Sequence, residues 1–172
     1  MDLGNATINL GYGMSQMPYR PNIKINKLHD DAHLPTYGSA NAACADLYAY
    51  IGFDDATMVN KNGDRCIMIQ PNETVKVHTG LRMAPPEGWY IQGFARSGLS
   101  TKQGLAPVNA VPIIDQDYRG EIIIPLHNYS NGSVELAYYS DAPDMELSSA
   151  TLTKEKTKTL ILYLIYALEQ LE

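Results

Sequence analysis

Short apolar segments alternate with turn-forming residues along most of this chain. Between residues 23 and 135 the apolar segments read IKI, ADLYAYI, CIMI, TVKVHTGL, WYIQGF, VPII and EIIIPLHNY. They are rich in the β-branched and aromatic residues that favour strands, and glycine, proline or Asn-Gly separates them. This rhythm predicts an all-β sandwich or barrel.

One of these segments alternates with particular regularity. In TVKVHTGLRM, residues 74–83, apolar Val75, Val77 and Leu81 are separated by polar residues. A period of two places the apolar side chains on one face of a strand. The pattern therefore predicts a half-buried strand.

The two ends of the chain depart from this pattern. Residues 1–22 mix Gly, Asn, Met and Pro without periodicity, which predicts a flexible N-terminal arm ahead of a β domain over residues 23–140. The segment 141–172 is atypical, since it ends in TKEKTKTLILYLIYALEQLE, where helix formers dominate and apolar residues lie on more than one face. A short buried or partner-docked helix is predicted over residues 154–171.

Composition narrows the classes of protein. With 172 residues, of which 45% are apolar, the chain is long enough to bury one sizeable core. Its net charge of −6 is unlike the broad basic surface of duplex-binding proteins, so we expect no direct binding of duplex nucleic acid. Any bound phosphate must then be held by a few local residues.

The cysteines and the apolar runs indicate in which cellular compartment the protein is expected. Cys44 and Cys66 are too far apart for a CxxC motif and too few for a disulfide framework, which favours a reducing, cytoplasmic setting. The N-terminus has no charged start followed by an apolar run, and the most apolar run, residues 160–168, is about half as long as a membrane-spanning helix. We expect neither a signal peptide nor a membrane span.

Two short stretches carry candidate chemistry. In ACADLYA, residues 43–49, Asp46 lies among small residues at the start of a strand. In ARSGLS, residues 95–100, the forked cation of Arg96, the hydroxyl of Ser97 and the open backbone of Gly98 together suit a phosphate group. Taken alone, the first stretch indicates almost nothing about function, and the second also fits an ordinary surface turn.

A third stretch, NAVPIIDQDYRGE at residues 109–121, is the most informative. Asp115 directly follows an apolar run and precedes Asp117, Tyr118 and an Arg-Gly turn. An ordinary alternative is that both acids cap a turn while Tyr118 packs at the edge of the core.

In their order along the chain, the three stretches resemble the first three motifs of the trimeric-type dUTP pyrophosphatase family, which look like AxxDLxA, RSGL and a hairpin close to GxIDxDYRGE. The resemblance covers about residues 23–135, and IDQDYRGE is its most specific part. It implies a distorted jelly-roll, or β-clip, sandwich subunit. It also implies hydrolysis of dUTP to dUMP and pyrophosphate with Mg²⁺, in a homotrimer with shared active sites.

The same resemblance implies roles for single residues. Asp115 corresponds to the general base, expected to be buried in the hairpin, that activates the water attacking the α-phosphorus. Asp46 corresponds to the acid that holds Mg²⁺ through water. The implied substrate-binding residues are Asn109, Ile113 and Ile114 at the uracil, Tyr118 beside the deoxyribose, Ile123, and the phosphate ligands Arg96, Ser97 and Gly98 from a neighbouring subunit.

The sequence departs from the family at two glycine positions and at its end. Cys44 and Pro112 stand where the family usually has glycine, and Pro112 is expected to reshape the base-recognising loop because it lacks an N–H and fixes its own φ. No stretch after LHNYSNGSVE resembles the family's last two motifs. Three explanations stay open: an altered reading frame near residue 135, a variant whose helix replaces the tail, or a member that has lost catalysis.

Two other functions are therefore weighed against the hydrolase. A catalytically weak or inactive protein of the same fold would bind a nucleotide or a protein partner without turnover. A dCTP deaminase-like enzyme would share the fold, but RSGL and IDQDYRGE do not look like that enzyme's motifs.

Overall fold

The computed structural model of the chain describes residues 6–9, 22–40, 42–52, 57–138 and 165–166, with backbone alone for 6–9 and 165–166. Within these ranges the chain forms short strands and one short helix, so the predicted β-rich class is confirmed. Among the same residues, no helix has the length and apolar character that crossing a membrane requires.

The described residues form fourteen strands and one helix. Their bounds are β1 Ala6–Asn9, β2 Asn22–Lys27, β3 Thr36–Tyr37, β4 Ala45–Asp46, β5 Met58–Val59, β6 Arg65–Ile69, β7 Thr74–His78, β8 Leu81–Ala84, β9 Ile91–Gln92, α1 Ser97–Gln103, β10 Leu105–Pro107, β11 Ile113–Ile114, β12 Ile123–Asn128, β13 Val134–Ala137 and β14 Ile165–Tyr166.

The strands form small antiparallel sheets around a shared core. The strand orders are β1-β2-β8, β10-β12-β7, β11-β9-β14, β13-β6-β5 and β3-β4. Side chains from several sheets are almost fully buried in one apolar cluster, among them Ile23, Ile69, Leu81, Ile91, Leu105 and Ile124. The described sheets therefore enclose one core rather than separate ones.

Alternation of apolar and polar residues explains the longer strands. In β2, Ile23 and Ile25 face the core while Lys24 is exposed. In β12, Ile124 and Leu126 are buried in the same way. The buried Asn128 ends β12, and its Nδ2 atom donates hydrogen bonds to the carbonyl oxygens of Ile69 (2.9 Å) and Gly132 (2.8 Å). A buried amide is tolerated here because its hydrogen-bonding capacity is used.

The single strand predicted over residues 74–83 is wrong in one respect, because it breaks at Gly80. β7 ends at His78 and pairs with β12, whereas β8 begins at Leu81 and pairs with β2. Gly80 adopts a φ of +65°, and a Cβ atom there would lie 2.8 Å from the Cβ atom of Ala32. The chain therefore turns from one sheet into another at a position that only glycine fits.

The two ends differ from expectation where they are described. β1, within the predicted flexible arm, pairs antiparallel with β2 from Ala6 opposite Ile25 to Asn9 opposite Asn22. Within the predicted helix over residues 154–171, the described pair Ile165–Tyr166 forms β14 against β9. The remaining residues of both predictions lie outside the described ranges.

A polar cluster links the loop after β2 to the end of β13. The Nη2 atom of Arg65 lies 3.2 Å from Oδ2 of Asp31, and the guanidinium lies 4.0 Å from the centre of the Tyr138 ring. Burial acts to raise the pKa of Asp31. Hydrogen bonds from Arg65, the backbone, Tyr138 and Tyr50 together outweigh it, so the pKa is lowered from its ordinary value of 3.8.

Asp31→Asn should lower the free energy of unfolding at neutral pH by less than about 1 kcal/mol, because the Asp31 side chain is 54% exposed and solvent screens it. Since the pKa of Asp31 is lower in the folded chain, its stabilisation is present above 3.8 and is lost as pH falls through the folded value. Urea denaturation at about pH 6 and about pH 3 should show the difference from wild type shrinking in acid.

The matched control is Asp30→Asn, which changes the neighbouring exposed carboxylate. It should leave the unfolding free energy within about 0.5 kcal/mol of wild type at both pH values. A loss for Asp31→Asn that persists in acid would show that the Asp31 charge is not its cause.

Candidate functional site

The third chemical stretch, here called the Asp115 segment (residues 109–121), is fastened to β9 at its start. Ile113 lies opposite Gln92 and Ile114 opposite Ile91 in the β11–β9 pairing. The backbone N–H of Gly93 also donates to the carbonyl oxygen of Pro112 at 2.8 Å. The strand that leads into Asp115 is therefore fixed by backbone hydrogen bonds. β11 pairs with β9 rather than with the following strand, so it does not form the hairpin that the sequence suggested.

Asp115 lies at the head of a tight turn. The N–H of Tyr118 donates to the carbonyl oxygen of Asp115 at 3.1 Å, and Nη1 of Arg119 donates to the carbonyl oxygen of Gln116 at 2.6 Å. A second link joins this turn to the loop before β9, because the N–H of Gly88 donates to Oε1 of Gln116 at 2.8 Å. In the single chain the Asp115 side chain is exposed rather than buried as expected.

The ring of Tyr118 folds back over Gly120. Its hydroxyl donates to the carbonyl oxygen of Glu121 at 2.8 Å, and 42% of the residue remains exposed. A Cβ atom at Gly120 would lie 2.5 Å from the Tyr118 hydroxyl oxygen. Glycine at this position therefore leaves the space that the phenol occupies.

The residues before and after the turn form an exposed, partly apolar rim. Asn109 is exposed just after β10, and the next residue, Ala110, adopts a φ of +59°, which is unusual for a residue with a Cβ atom. Ile113 and Ile123 expose much of their apolar side chains, whereas Ile114 is buried in the core.

The second stretch lies where the chain enters α1. Arg96 precedes the helix with an extended backbone, is exposed, and makes no side-chain cap hydrogen bond. Ser97 starts the helix, and its carbonyl oxygen accepts a hydrogen bond from the Thr101 hydroxyl at 2.6 Å. At Gly98 a Cβ atom would meet nothing within 4 Å, and the buried Leu99 fixes the helix to the core.

Asp46, from the first stretch, interacts with this second stretch. Burial raises the pKa of the Asp46 carboxyl above its usual range, and the positive charge of Arg96 offsets part of that increase. The neighbouring Cys44 fits its position as a buried apolar residue, since burial also raises the pKa of its thiol. Cysteine at a position where glycine was expected is therefore accommodated by the core.

The predicted site residues thus fall into two groups in the single chain. One group is the Asp115 segment with Ile123. The other is residues 96–98 together with Asp46, whose carboxyl is influenced by the charge of Arg96. Among the described residues, no hydrogen bond or ion pair joins a side chain of one group to the other.

Sequence reasoning assigned no role to Gln116, Gly120 or Glu121, although all three lie in the quoted motif. Their partners Gly88, Tyr118 and Gly80 are known only from the fold. The Arg-Gly pair before Glu121 was the one signal in the sequence that this turn is tightly packed.

Gly120→Ala should displace the Tyr118 ring, because the added methyl group overlaps the phenol oxygen. We expect a loss of about 0.5–1.5 kcal/mol in unfolding free energy, mainly from the broken hydrogen bond, because Tyr118 is 42% exposed and its ring can swing away from the methyl group. Urea denaturation measures the loss, and the NMR signals of the Tyr118 ring report the displacement. Gly132→Ala is the matched control, since a Cβ atom there meets nothing within 4 Å. Equal effects of the two substitutions would contradict the steric explanation.

A family model and individual related sequences indicate the same family. The dUTPase family model matches residues 62–140. The deoxyuridine 5'-triphosphate nucleotidohydrolase of Hydrogenobaculum sp. (strain Y04AAS1) is 37% identical over 110 residues, which cover 64% of this chain and 67% of the relative. The protein of the same name from Caulobacter vibrioides (strain NA1000 / CB15N) is 37% identical over 117 residues, covering 67% of this chain and 69% of the relative.

Comparison with solved structures identifies the same fold. The dUTPase from Streptococcus mutans superposes with a TM-score of 0.58 and 21% identity, covering 84% of this chain and 91% of that one. A mutant of the Staphylococcus bacteriophage 80alpha dUTPase, solved with dUpNHpp, gives a TM-score of 0.57 at 17% identity, covering 87% of this chain and 84% of that one. These likenesses confirm the fold class that the sequence predicted.

Proposed function

The chain belongs to the dUTPase family, and we propose that it hydrolyses dUTP to dUMP and pyrophosphate, with Asp115 as the general base. The observation that carries this proposal is the position of Asp115 at the head of a turn that is fixed on both sides. Before Asp115, the N–H of Gly93 donates to the carbonyl oxygen of Pro112, and after it the N–H of Gly88 donates to the Gln116 side chain. A catalytic carboxylate must be held in place yet remain open to water. The turn fixes the backbone that carries Asp115, and the exposed side chain of Asp115 is open to water.

The reaction needs one proton acceptor beside the attacking water. A water molecule held by the Asp115 carboxylate passes a proton to it as the water oxygen bonds to the α-phosphorus. The bond from that phosphorus to the bridging oxygen breaks, and pyrophosphate leaves with the bonding electrons. Phosphoryl transfer of this kind depends mostly on positioning and on neutralising charge, so a single base is sufficient.

Recognition of uracil falls to Asn109 and to the backbone of residues 113–115. Pro112 cannot donate to the base because it has no N–H, and its carbonyl oxygen already accepts one hydrogen bond from Gly93. Cytosine would present the wrong donor and acceptor pattern to a fixed backbone edge and would leave polar groups unpaired. Tyr118, held over Gly120, packs beside the deoxyribose where a 2′-hydroxyl would clash.

The triphosphate is bound by Arg96, Ser97 and Gly98 of a neighbouring subunit in a homotrimer. Two features of the single chain support sharing of the site. Among the described residues, no side-chain hydrogen bond or ion pair joins the two groups of site residues, and apolar Ile113, within the Asp115 segment, and Ile123, just after it, are exposed. The open space at Gly98 allows close approach of a phosphate to the backbone.

The donor set fits a magnesium ion that arrives with the nucleotide. Mg²⁺ prefers oxygen ligands, keeps several waters, and is usually bound by one or two carboxylates together with substrate phosphates. The described residues contain no group of three or more His, Cys, Asp or Glu side chains that could hold a metal ion. Asp46 offers a single carboxylate, which would hold the ion through water. When bound, the ion neutralises charge on the triphosphate.

A second candidate function is nucleotide binding without turnover. It is favoured by the end of the family match at residue 140, ahead of the atypical segment in which no counterpart of the family's last motifs was found. Without a segment that closes over the triphosphate, the site would bind the triphosphate more weakly and exclude water less well. This candidate predicts binding of dUpNHpp with no release of pyrophosphate from dUTP.

Asp115→Asn should reduce pyrophosphate release from dUTP by at least about 100-fold, because the amide cannot accept the proton. Binding of dUpNHpp, measured by calorimetry with Mg²⁺, should change little. Asp117→Asn, a neighbouring exposed acid in the same turn, is the control and should remain active. If wild type releases pyrophosphate from dUTP but not from dCTP, dTTP or UTP, the hydrolase is supported. If wild type binds dUpNHpp but releases no pyrophosphate from dUTP, the second candidate is supported.

Whether each active site is shared between two subunits can be tested by mixing two variants, one lacking Arg96 and the other lacking the Asp115 carboxylate. Arg96→Ala and Asp115→Asn should each be nearly inactive, since each spoils every site in its own trimer. Co-expressed in equal amounts, they should regain about a quarter of wild-type activity, because random assembly leaves that share of interfaces with both residues intact. If both residues came from one chain, mixing would restore nothing.

A further inference from the structure

Glu121 makes two hydrogen bonds with its carboxylate at the corner between β7 and β8. Oε1 accepts the backbone N–H of Gly80 at 2.9 Å, and Oε2 lies 2.8 Å from Nδ1 of His78. The Glu121 side chain is only 18% exposed, whereas that of His78 is 51% exposed. The bond to Gly80 is therefore the better protected from solvent of the two.

The backbone around Glu121 is fastened to the same corner. The N–H of Ile122 donates to the carbonyl oxygen of Leu81 at 2.8 Å, and the buried hydroxyl of Thr79 donates to the carbonyl oxygen of Ile122 at 2.8 Å. Leu81 itself is fully buried. The end of the Asp115 segment is thus anchored to one of the most enclosed points of the chain.

The corner that receives Glu121 has little freedom to move. The positive φ of Gly80 brings its Cα atom so close to Ala32 and Tyr50 that a Cβ atom would lie 2.8 Å and 3.2 Å from their side chains. A bond to this N–H therefore fixes its acceptor relative to the core. Without the Glu121 carboxylate, the N–H would have to find another acceptor.

Glu121 also holds Tyr118, through its own carbonyl oxygen, which accepts the Tyr118 hydroxyl at 2.8 Å. Side chain and main chain of one residue thus connect the rigid corner to the phenol ring. We infer that Glu121 is a positioning residue that fixes Tyr118 in the site and so sets the preference for deoxyribose over ribose. The inference rests on the proposed function, in which Tyr118 packs beside the sugar.

The reach of the side chain matters more than its charge. His78 is half exposed, so an ion pair with it would be screened and would contribute little. Glutamine keeps the length of glutamate and can accept from Gly80 while donating to Nδ1 of His78. Aspartate keeps the charge but is one methylene too short to reach Gly80 from the same backbone.

The test compares kcat/KM for dUTP and for UTP in Glu121→Gln, Glu121→Asp and Glu121→Ala. The preference for dUTP over UTP should fall roughly tenfold in the Asp and Ala variants, because a displaced Tyr118 ring would clash less with the 2′-hydroxyl of UTP and would hold dUTP less well. It should stay within about twofold of wild type in the Gln variant, where both hydrogen bonds can form. Should Glu121→Ala fail to fold, the Gln and Asp pair still decides the question.

Glu73→Ala is the matched control for a purely structural role. Oε2 of Glu73 accepts the backbone N–H of Gln70 at 2.6 Å in the turn between β6 and β7, so the same kind of bond is lost far along the chain from Tyr118. This variant should lose stability without losing the preference for dUTP. Hydrogen exchange of the Ile122 amide should accelerate in Glu121→Asp and not in Glu73→Ala.

The outcomes separate this inference from the function on which it rests. A wild type that releases no pyrophosphate from dUTP would overturn the proposed function and, with it, a role for Glu121 in sugar preference. An active wild type whose preference is unchanged in Glu121→Asp and Glu121→Ala would overturn the Glu121 inference alone. A Gln variant as impaired as the Asp variant would likewise overturn it, since a side chain of the same length would then not preserve the preference.

Discussion

The backbone corner at residues 78–81 determines where the candidate site lies. Only glycine fits at Gly80, because its φ is +65° and a Cβ atom would lie 2.8 Å from Ala32. The corner sends β7 into the sheet with β12 and β8 into the sheet with β2. It also receives the hydrogen bonds that fasten Glu121 and Ile122. The segment that carries Asp115 is therefore anchored at the point where two sheets part, and its geometry follows from a constraint in the core.

The sequence could predict the strands whose alternation reflects burial, but not how they are grouped. Lys24 between Ile23 and Ile25 marks β2 because one face of that strand is buried and the other is not. The break within residues 74–83 was not predictable, since the constraint on Gly80 comes from Ala32, far away in sequence. Two-residue strands such as β9 and β11 carry no periodicity, so their pairing depends on tertiary contacts.

The sequence indicates candidate functional residues more readily than the hydrogen bonds that hold those residues in place. The sequence singles out Asp46, Arg96 and Asp115 as candidates, because its short ordered motifs contain residue types that suit a phosphate or a base. The supporting contacts of Gln116 and Glu121 could not be found, since their partners are N–H groups of turns that the fold brings near. The exposure of Asp115 was also missed, because burial of a side chain at a turn depends on what covers that turn and not on its neighbours in sequence.

The C-terminal strand gives the atypical segment a physical connection to the site. β9 lies between β11 on one edge and β14 on the other, and Ile91 stands opposite both Ile114 and Tyr166. A central strand with both edges paired leaves no open edge for another chain to add to. β14 lies beyond residue 140, where the family match ends, so sequence outside the match contributes backbone pairing to the sheet that positions Asp115. Residues beyond the last recognisable motif therefore still contribute to the sheet beside the candidate site.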